Sequence, residues 1–175
     1  MTEIINLTIP ISKKIIKEAE KKGITIEDSF IAFLTEKLNI DPHTAAQTRL
    51  ELAKKFLREA EIYIEKDNPI QASEKLYKTA EECIKALAEC LKAPQATQAK
   101  KQGRWFTWQL GQTACWISQK VKDPIIRTAW TIAYDIHEWG FHEAKYNTQT
   151  IKSDLPYIEK LLKTTERIIT KQTAS

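Results

Sequence analysis

The stretch LELAKKFLREAEIYIEKDNPIQASEKLYKTAEECIKALAECL, residues 50–91, decides the fold. Apolar residues recur at three- and four-residue steps on both sides of Asp67-Asn68-Pro69, which is the spacing of one helical face. The asparagine–proline step predicts a tight turn. Two long helices joined by so short a turn pack as an antiparallel hairpin. We therefore predict helices over about 44–66 and 69–92.

Three further helices are predicted after the hairpin: 105–120, 124–146 and 148–171. Pro156 lies inside the last of these and should kink it or mark its true start. Residues 93–103 are polar and show no periodicity, so they are predicted to form a linker. The predicted fold class is all-α, with a five-helix bundle over residues 44–172 as its main domain.

Residues 1–40 are predicted to form a separate head. Residues 4–9 alternate in the manner of a strand, which Pro10 ends. Helices are predicted over 11–22 and from Thr25, where Thr25 and Asp28 suggest a capping box. One strand cannot form a sheet alone, so we predict a homodimer that pairs this strand with that of a second copy.

This β-α-α pattern resembles the ribbon-helix-helix family of DNA-binding proteins. The features that carry the resemblance are Ile9-Pro10, Lys13-Lys14-Ile15 and Gly23-Ile24-Thr25. It implies that a paired ribbon enters the major groove. Asn6 and Thr8 would then face the bases, and Lys13 and Thr25 would lie near phosphates. The alternative is a dimerisation module that does not touch DNA.

A second resemblance covers roughly residues 49–170. The segments that carry it are 71–78, 81–88 and 133–144, the last of which contains Trp139-Gly140-Phe141-His142-Glu143. They are similar to the archaeal PaREP-type branch of the HEPN superfamily, which implies a helical bundle close to nucleotide or RNA chemistry. The ribonuclease branch of that superfamily carries an arginine a few residues before a histidine. This chain has no arginine at the matching positions before His137 or His142. We therefore expect no robust ribonuclease activity.

The predicted helix 124–146 carries a polar stripe with Asp135, Glu138 and His142. An acid beside a histidine can orient its tautomer and raise its basicity, so these three are candidate catalytic residues. The alternative is a solvated face with ordinary helix pairs. His137 lies on an apolar stripe and is expected to be a core histidine. Because residues five apart lie on different faces of an α-helix, we expect no metal site, and no cofactor is predicted.

Positive charge is concentrated in residues 92–127, which hold seven basic residues and one acidic residue, whereas the whole chain carries a net charge of +4. Within this segment cations and aromatic rings lie close together: Lys100, Lys101, Arg104, Trp105, Phe106 and Trp108. Such a pattern suits single-stranded nucleic acid, because bases stack on rings while cations follow phosphates. The alternative is an exposed linker that leads into a helix whose tryptophans pack in the core.

Together these patterns favour a cytoplasmic homodimer that binds DNA or RNA in a regulatory, toxin–antitoxin-like setting without catalysis. One alternative is a HEPN-type ribonuclease or nucleotide-processing enzyme that uses His142 with Asp135 or Glu138. A purely structural dimer is another. No apolar stretch has the length of a membrane span, so no membrane partner is expected. The three cysteines show neither a disulfide framework nor zinc-site spacing.

Overall fold

A computed structural model describes residues 4–22 and 24–173, and most of them are helical. The elements are α1 (Lys13–Lys21), α2 (Ile26–Lys37), α3 (Pro42–Glu65), α4 (Pro69–Cys90), α5 (Pro94–Gln102), α6 (Thr107–Val121), α7 (Ile125–Asp135), a π-helix (Ile136–His142) and α8 (Thr148–Thr173). The described residues contain no strand. None of the described helices combines the length and apolarity needed to cross a membrane.

The helices α3 and α4 form the predicted hairpin, and local chemistry sets where each begins. The Asp41 carboxylate accepts hydrogen bonds from the His43 and Thr44 amides, both at 3.0 Å. The Asn68 side chain accepts one from the Gln71 amide at 3.2 Å. A proline follows each of these caps, where its fixed φ suits a first helical turn. The body is therefore an all-α bundle built on this hairpin.

The centre of the bundle is α4, in which 13 of 22 residues are buried. The helices α3, α6, α7 and α8 and the π-helix all pack against it. Leu76, Ile84 and Leu87 are fully buried at its centre. Burial of each such side chain contributes about 1.5–3 kcal/mol, so this one helix organises most of the core.

Four charged residues accompany this apolar core. Glu82 accepts from Arg49 Nη1 at 2.8 Å and lies 3.4 Å from Lys85 Nζ. Lys85, only 1% exposed, also pairs with Glu81 at 2.7 Å. We call Arg49, Glu81, Glu82 and Lys85 the ion-pair cluster. Since an unpaired buried charge costs several kcal/mol, roughly, the cluster fixes how α3 lies against α4.

Two predictions about the body are wrong, and one of the two alternatives for Pro156 is excluded. Residues 93–103 do not form a linker, because α5 occupies most of them and ends at Gly103, whose φ is +72°. Its buried face consists of Ala96 and Ala99, which are too small to give a clear apolar signal in the sequence. The predicted helix 124–146 also ends early, since α7 gives way to the π-helix after Asp135. Pro156 does not start α8, which runs through it.

The predicted β-strand of the head, and with it the ribbon-helix-helix-like β-α-α fold, is wrong. Residues 4–11 adopt no regular secondary structure. Alternation along the chain is a local pattern, whereas a strand exists only when a second strand completes its hydrogen-bond ladder. The two helices of the head are present, but Thr25 makes no side-chain capping bond to α2.

The head leaves a large apolar surface uncovered. Ile5 is 82% exposed, Leu7 69% and Leu38 64%. A cleft of about 920 Å³, lined largely by aliphatic side chains, lies between the head and α3. Uncovered apolar area of this extent marks an interaction surface on a soluble protein. We propose that the head associates with a second copy of the chain.

This proposal predicts that the full-length protein is a dimer and that the double variant Leu7→Glu/Leu38→Glu is a monomer. Both side chains are exposed within one chain, so the charges should disturb association without disturbing the fold. Light scattering coupled to size exclusion measures the mass directly. The matched control is Ile62→Glu, which places the same charge at a 46% exposed position on α3. A monomeric wild type, or a dimeric double variant, would contradict the proposal.

Candidate functional site

The π-helix is held by a close approach to α4. The Glu143 amide donates to the Glu138 carbonyl at 2.9 Å, a bond that spans five residues as π-helical winding requires. A Cβ placed on Gly140 would lie 2.9 Å from the Ser73 Cβ, which is closer than carbon atoms tolerate. Glycine therefore lets the π-helix rest directly on α4. Short π-helical segments within longer helices often mark functional sites.

The winding brings His137 and His142 together, which overturns the prediction that they lie on different faces. Their Nε2 atoms are 3.0 Å apart. In an α-helix, residues five apart point about 140° away from each other. In a π-helix the hydrogen-bond register places residue i+5 above residue i instead. We call these two residues the histidine pair.

The ring of His137 is fixed by aromatic neighbours. It stacks on Tyr77 with centroids 3.9 Å apart and on Phe141 with centroids 5.5 Å apart. Burial and the adjacent His142 lower the pKa of His137 to about 4. Its Nδ1 atom is buried and has no hydrogen-bond partner among the described residues. His137 is therefore neutral near pH 7, and Nε2 is its available nitrogen.

The two predicted acidic partners of His142 lie elsewhere in the site. Asp135 accepts a hydrogen bond of 2.5 Å from the Tyr146 hydroxyl, and this bond raises the pKa of Tyr146 to about 12. Glu138 lies on the π-helix, where its negative charge acts on His137. The side chains in contact with His142 are thus His137, at 3.0 Å between the Nε2 atoms, and Phe141, at 5.1 Å between ring centroids. Catalytic roles for His142, Asp135 and Glu138 stay predictions.

The four residues of the predicted nucleic-acid patch surround one cavity. Lys100, Lys101, Arg104 and Trp105 line a space of about 710 Å³ between α2, α3 and α5. Lys100 pairs with Glu89, which also lines the cavity, at 3.3 Å. The structure therefore gathers these residues in space, with part of their charge already balanced.

The chain between α5 and α6 stacks a cation and two rings. The Arg104 guanidinium carbon lies 4.0 Å from the Phe106 ring centroid. The Phe106 and Trp108 rings are 6.0 Å apart at 18° to each other. Trp108 is 58% exposed, whereas Trp105 packs against the core. We call Arg104, Phe106 and Trp108 the ladder. The alternative of core-packed tryptophans therefore holds for Trp105 but not for Trp108, and nucleic-acid binding by this segment stays a prediction.

Tyr77 lies between the start of α6 and the histidine pair. The side chain of Thr107, the first residue of α6, is near enough to lower the pKa of the Tyr77 hydroxyl slightly against the effect of burial, and the Tyr77 ring stacks on His137. Burial raises the pKa of the Tyr77 hydroxyl, so it stays protonated as a structural link. The start of α6 and the π-helix are therefore neighbours through a single side chain of α4.

Comparison with known proteins places this fold and site in a family. A sequence profile of the archaeal PaREP1/PaREP8 family matches residues 48–162. The chain belongs to this family. A similar solved structure is the crystal structure of a Sulfolobus solfataricus protein that is 28% identical. The match covers 67% of this chain and 96% of that one, with a TM-score of 0.62. No curated protein matches the chain.

The residues predicted to bind DNA lie outside the PaREP1/PaREP8 match. Asn6 accepts a hydrogen bond from Lys55 Nζ at 3.0 Å, which attaches this part of the head to α3. Thr8 and Lys13 are exposed, and Thr25 precedes α2. DNA contact by these four residues stays a prediction. The PaREP1/PaREP8 match itself contains the ladder and the histidine pair.

The low pKa of His137 predicts a pH-dependent stability for the PaREP1/PaREP8 bundle. The folded pKa of about 4 lies below the ordinary 6.5, so between these values the unfolded chain binds the proton more readily. The free energy of unfolding should therefore fall as the pH falls from about 6.5 to 4. Denaturant titrations at several pH values measure it. His137→Phe keeps a stacked aromatic ring but removes the titrating group, so its free energy of unfolding should change less with pH over this range. Equal slopes in the two proteins would contradict this assignment.

Proposed function

We propose that this PaREP1/PaREP8 protein binds single-stranded nucleic acid along the ladder and the adjoining cavity. The observation that carries the proposal is the stack of Arg104, Phe106 and Trp108, which ends in an exposed indole. A single strand presents unstacked bases that can continue such a stack. Bases in a duplex are already stacked on each other, so a duplex would gain little from this surface.

The charge distribution supports the same ligand. Residues 92–127, which contain the ladder, hold seven of the basic residues and one of the acidic residues of the chain. Lys101 is exposed on the wall of the 710 Å³ cavity beside the ladder. Cations in this position can follow a phosphate backbone while the rings contact bases. Binding through them should weaken as salt rises, because counterions compete for the phosphates.

The proposed role is regulatory, and the bound strand is held without being cut. The resemblance of residues 49–170 to the HEPN superfamily, many of whose members act on RNA in toxin–antitoxin systems, supports RNA as the strand. A homodimer would place two ladders in one assembly, so that two segments of one strand could bind together. Linking two weak sites in this way raises the overall affinity by making the second contact intramolecular.

The proposal predicts that Trp108→Ala loses affinity for single-stranded oligonucleotides. Removal of one stacking ring should cost roughly 1–3 kcal/mol of binding free energy, which corresponds to about a 5- to 150-fold higher dissociation constant. Fluorescence anisotropy with labelled oligo(U) at low salt measures it, with a duplex of equal length for comparison. The matched control is Tyr157→Ala, which removes another exposed ring, on α8. Equal affinity of wild type and Trp108→Ala would exclude the ladder as the site. Complete absence of binding by the wild type would favour a purely structural dimer.

A second candidate function is cleavage of the bound strand, which the exposed His142 in the histidine pair favours. Attack by a 2′-hydroxyl needs a proton-transfer group and also a cation beside the developing charge. Arg127 belongs to the same predicted polar stripe as His142. Its guanidinium donates to the Gly111 carbonyl at 3.0 Å instead of lying beside the histidine. We therefore expect binding without rapid cleavage.

End-labelled oligo(U) incubated with protein and chelator tests this second candidate. We expect the same slow background from the wild type and from His142→Ala. Turnover by the wild type that disappears in His142→Ala would establish His142 as a catalytic residue. The protein would then be a ribonuclease that cuts the bound strand, and not a protein that only binds it.

A further inference from the structure

We propose that the histidine pair is a binding site for a divalent transition-metal ion of the nickel or copper class. His137 and His142 direct their Nε2 atoms toward each other from one segment of the π-helix, with 3.0 Å between them. Two imidazole lone pairs at this distance repel unless a proton or a cation lies between or beside them. The proposal does not depend on nucleic-acid binding, since it concerns the pair alone.

The separation of the two nitrogens fits a particular coordination geometry. Metal ions bind imidazole nitrogen at about 2.0–2.1 Å, so two nitrogens 3.0 Å apart enclose an angle of about 94° at the metal. Neighbouring ligands in square-planar or tetragonal complexes stand near 90°, whereas a tetrahedral zinc site would space them about 3.3 Å apart. Nickel and copper favour the tetragonal arrangement with nitrogen and oxygen ligands.

Aromatic neighbours hold the His137 ligand in place, whereas the His142 ligand is exposed to solvent. His137 is held between the Tyr77 and Phe141 rings, so its nitrogen loses little freedom on binding. His142 is exposed, so water or an oxygen-donor ligand can reach a metal at the pair. A preorganised pair of this kind binds as a chelate.

The site is open and therefore of moderate affinity. Within residues 4–22 and 24–173 there is no group of three or more His, Cys, Asp or Glu side chains that could hold a metal. The remaining coordination positions would be filled by water or by an oxygen-donor ligand. The buried His137 Nδ1 has no partner in the described chain. When Nε2 of an imidazole binds a metal, the ring proton lies on Nδ1 and is usually donated to a hydrogen-bond acceptor. Because His137 Nδ1 has no such acceptor among the described residues, the affinity for the metal is limited further.

Metal binding by the untagged, metal-free, full-length protein tests the proposal. Calorimetric titration with Ni²⁺ should show one site per chain. His142→Ala and His137→Phe should each weaken it by about a hundredfold, because removal of one chelating nitrogen removes the intramolecular advantage. His137→Phe retains a stacked ring, and circular dichroism checks that both variants fold. His43→Ala, which removes the third histidine of the chain, is the control and should bind as the wild type does.

A spectroscopic measurement separates a chelate from loose association. With one equivalent of Cu²⁺, electron paramagnetic resonance of the wild type should show hyperfine coupling to two imidazole nitrogens, and His142→Ala should lose this pattern. Equal Ni²⁺ affinity of wild type and His142→Ala would overturn the proposal, leaving a pair that only shares a proton. An equal loss in His43→Ala would overturn it as well, because binding would then not be specific to the pair.

Discussion

The rest of the bundle depends on the burial of α4. This helix is covered on nearly every side, so each polar group that it carries inward needs a partner within the protein. Arg49 meets Glu82 at 2.8 Å and thereby sets α3 against α4. Gly140 meets Ser73 and thereby sets the π-helix against its other side. Two contacts of different chemistry, one ionic and one steric, thus position α3 and the π-helix around α4.

The ladder and the histidine pair both result from small departures from regular helical structure. One turn of π-helix moves His142 next to His137, and extended backbone at Phe106 precedes α6, on whose first turn Trp108 is exposed. Tyr77 of α4 lies between the two, with its ring stacked on His137 and its hydroxyl near Thr107 at the start of α6. A rigid central helix therefore supports both. Bases could stack on one region while a metal ion or a proton occupies the other, without any rearrangement of the core.

The sequence predicted what depends on local chemistry. The turn at Asp67-Asn68-Pro69 and the hairpin around it could be identified because the turn depends only on its own residues and each helix shows its own periodicity. The grouping of cations and rings at 100–108 could be identified as well, although not which rings face outward. The strand at 4–9 was predicted wrongly because pairing is not a local property. The contact of His137 with His142 was missed because assigning faces assumed 3.6 residues per turn throughout.

Tryptophan indole signals provide the most direct test of the central claim that the ladder binds single-stranded nucleic acid. The chain has five tryptophans, and each contributes one indole N–H resonance to a ¹⁵N-labelled sample of the full-length protein. Titration with oligo(U) to saturation should shift the Trp108 signal, assigned from Trp108→Ala, by more than that of the core-packed Trp105. An unchanged Trp108 signal at saturation, with shifts confined to Trp139 or other tryptophans, would contradict the account.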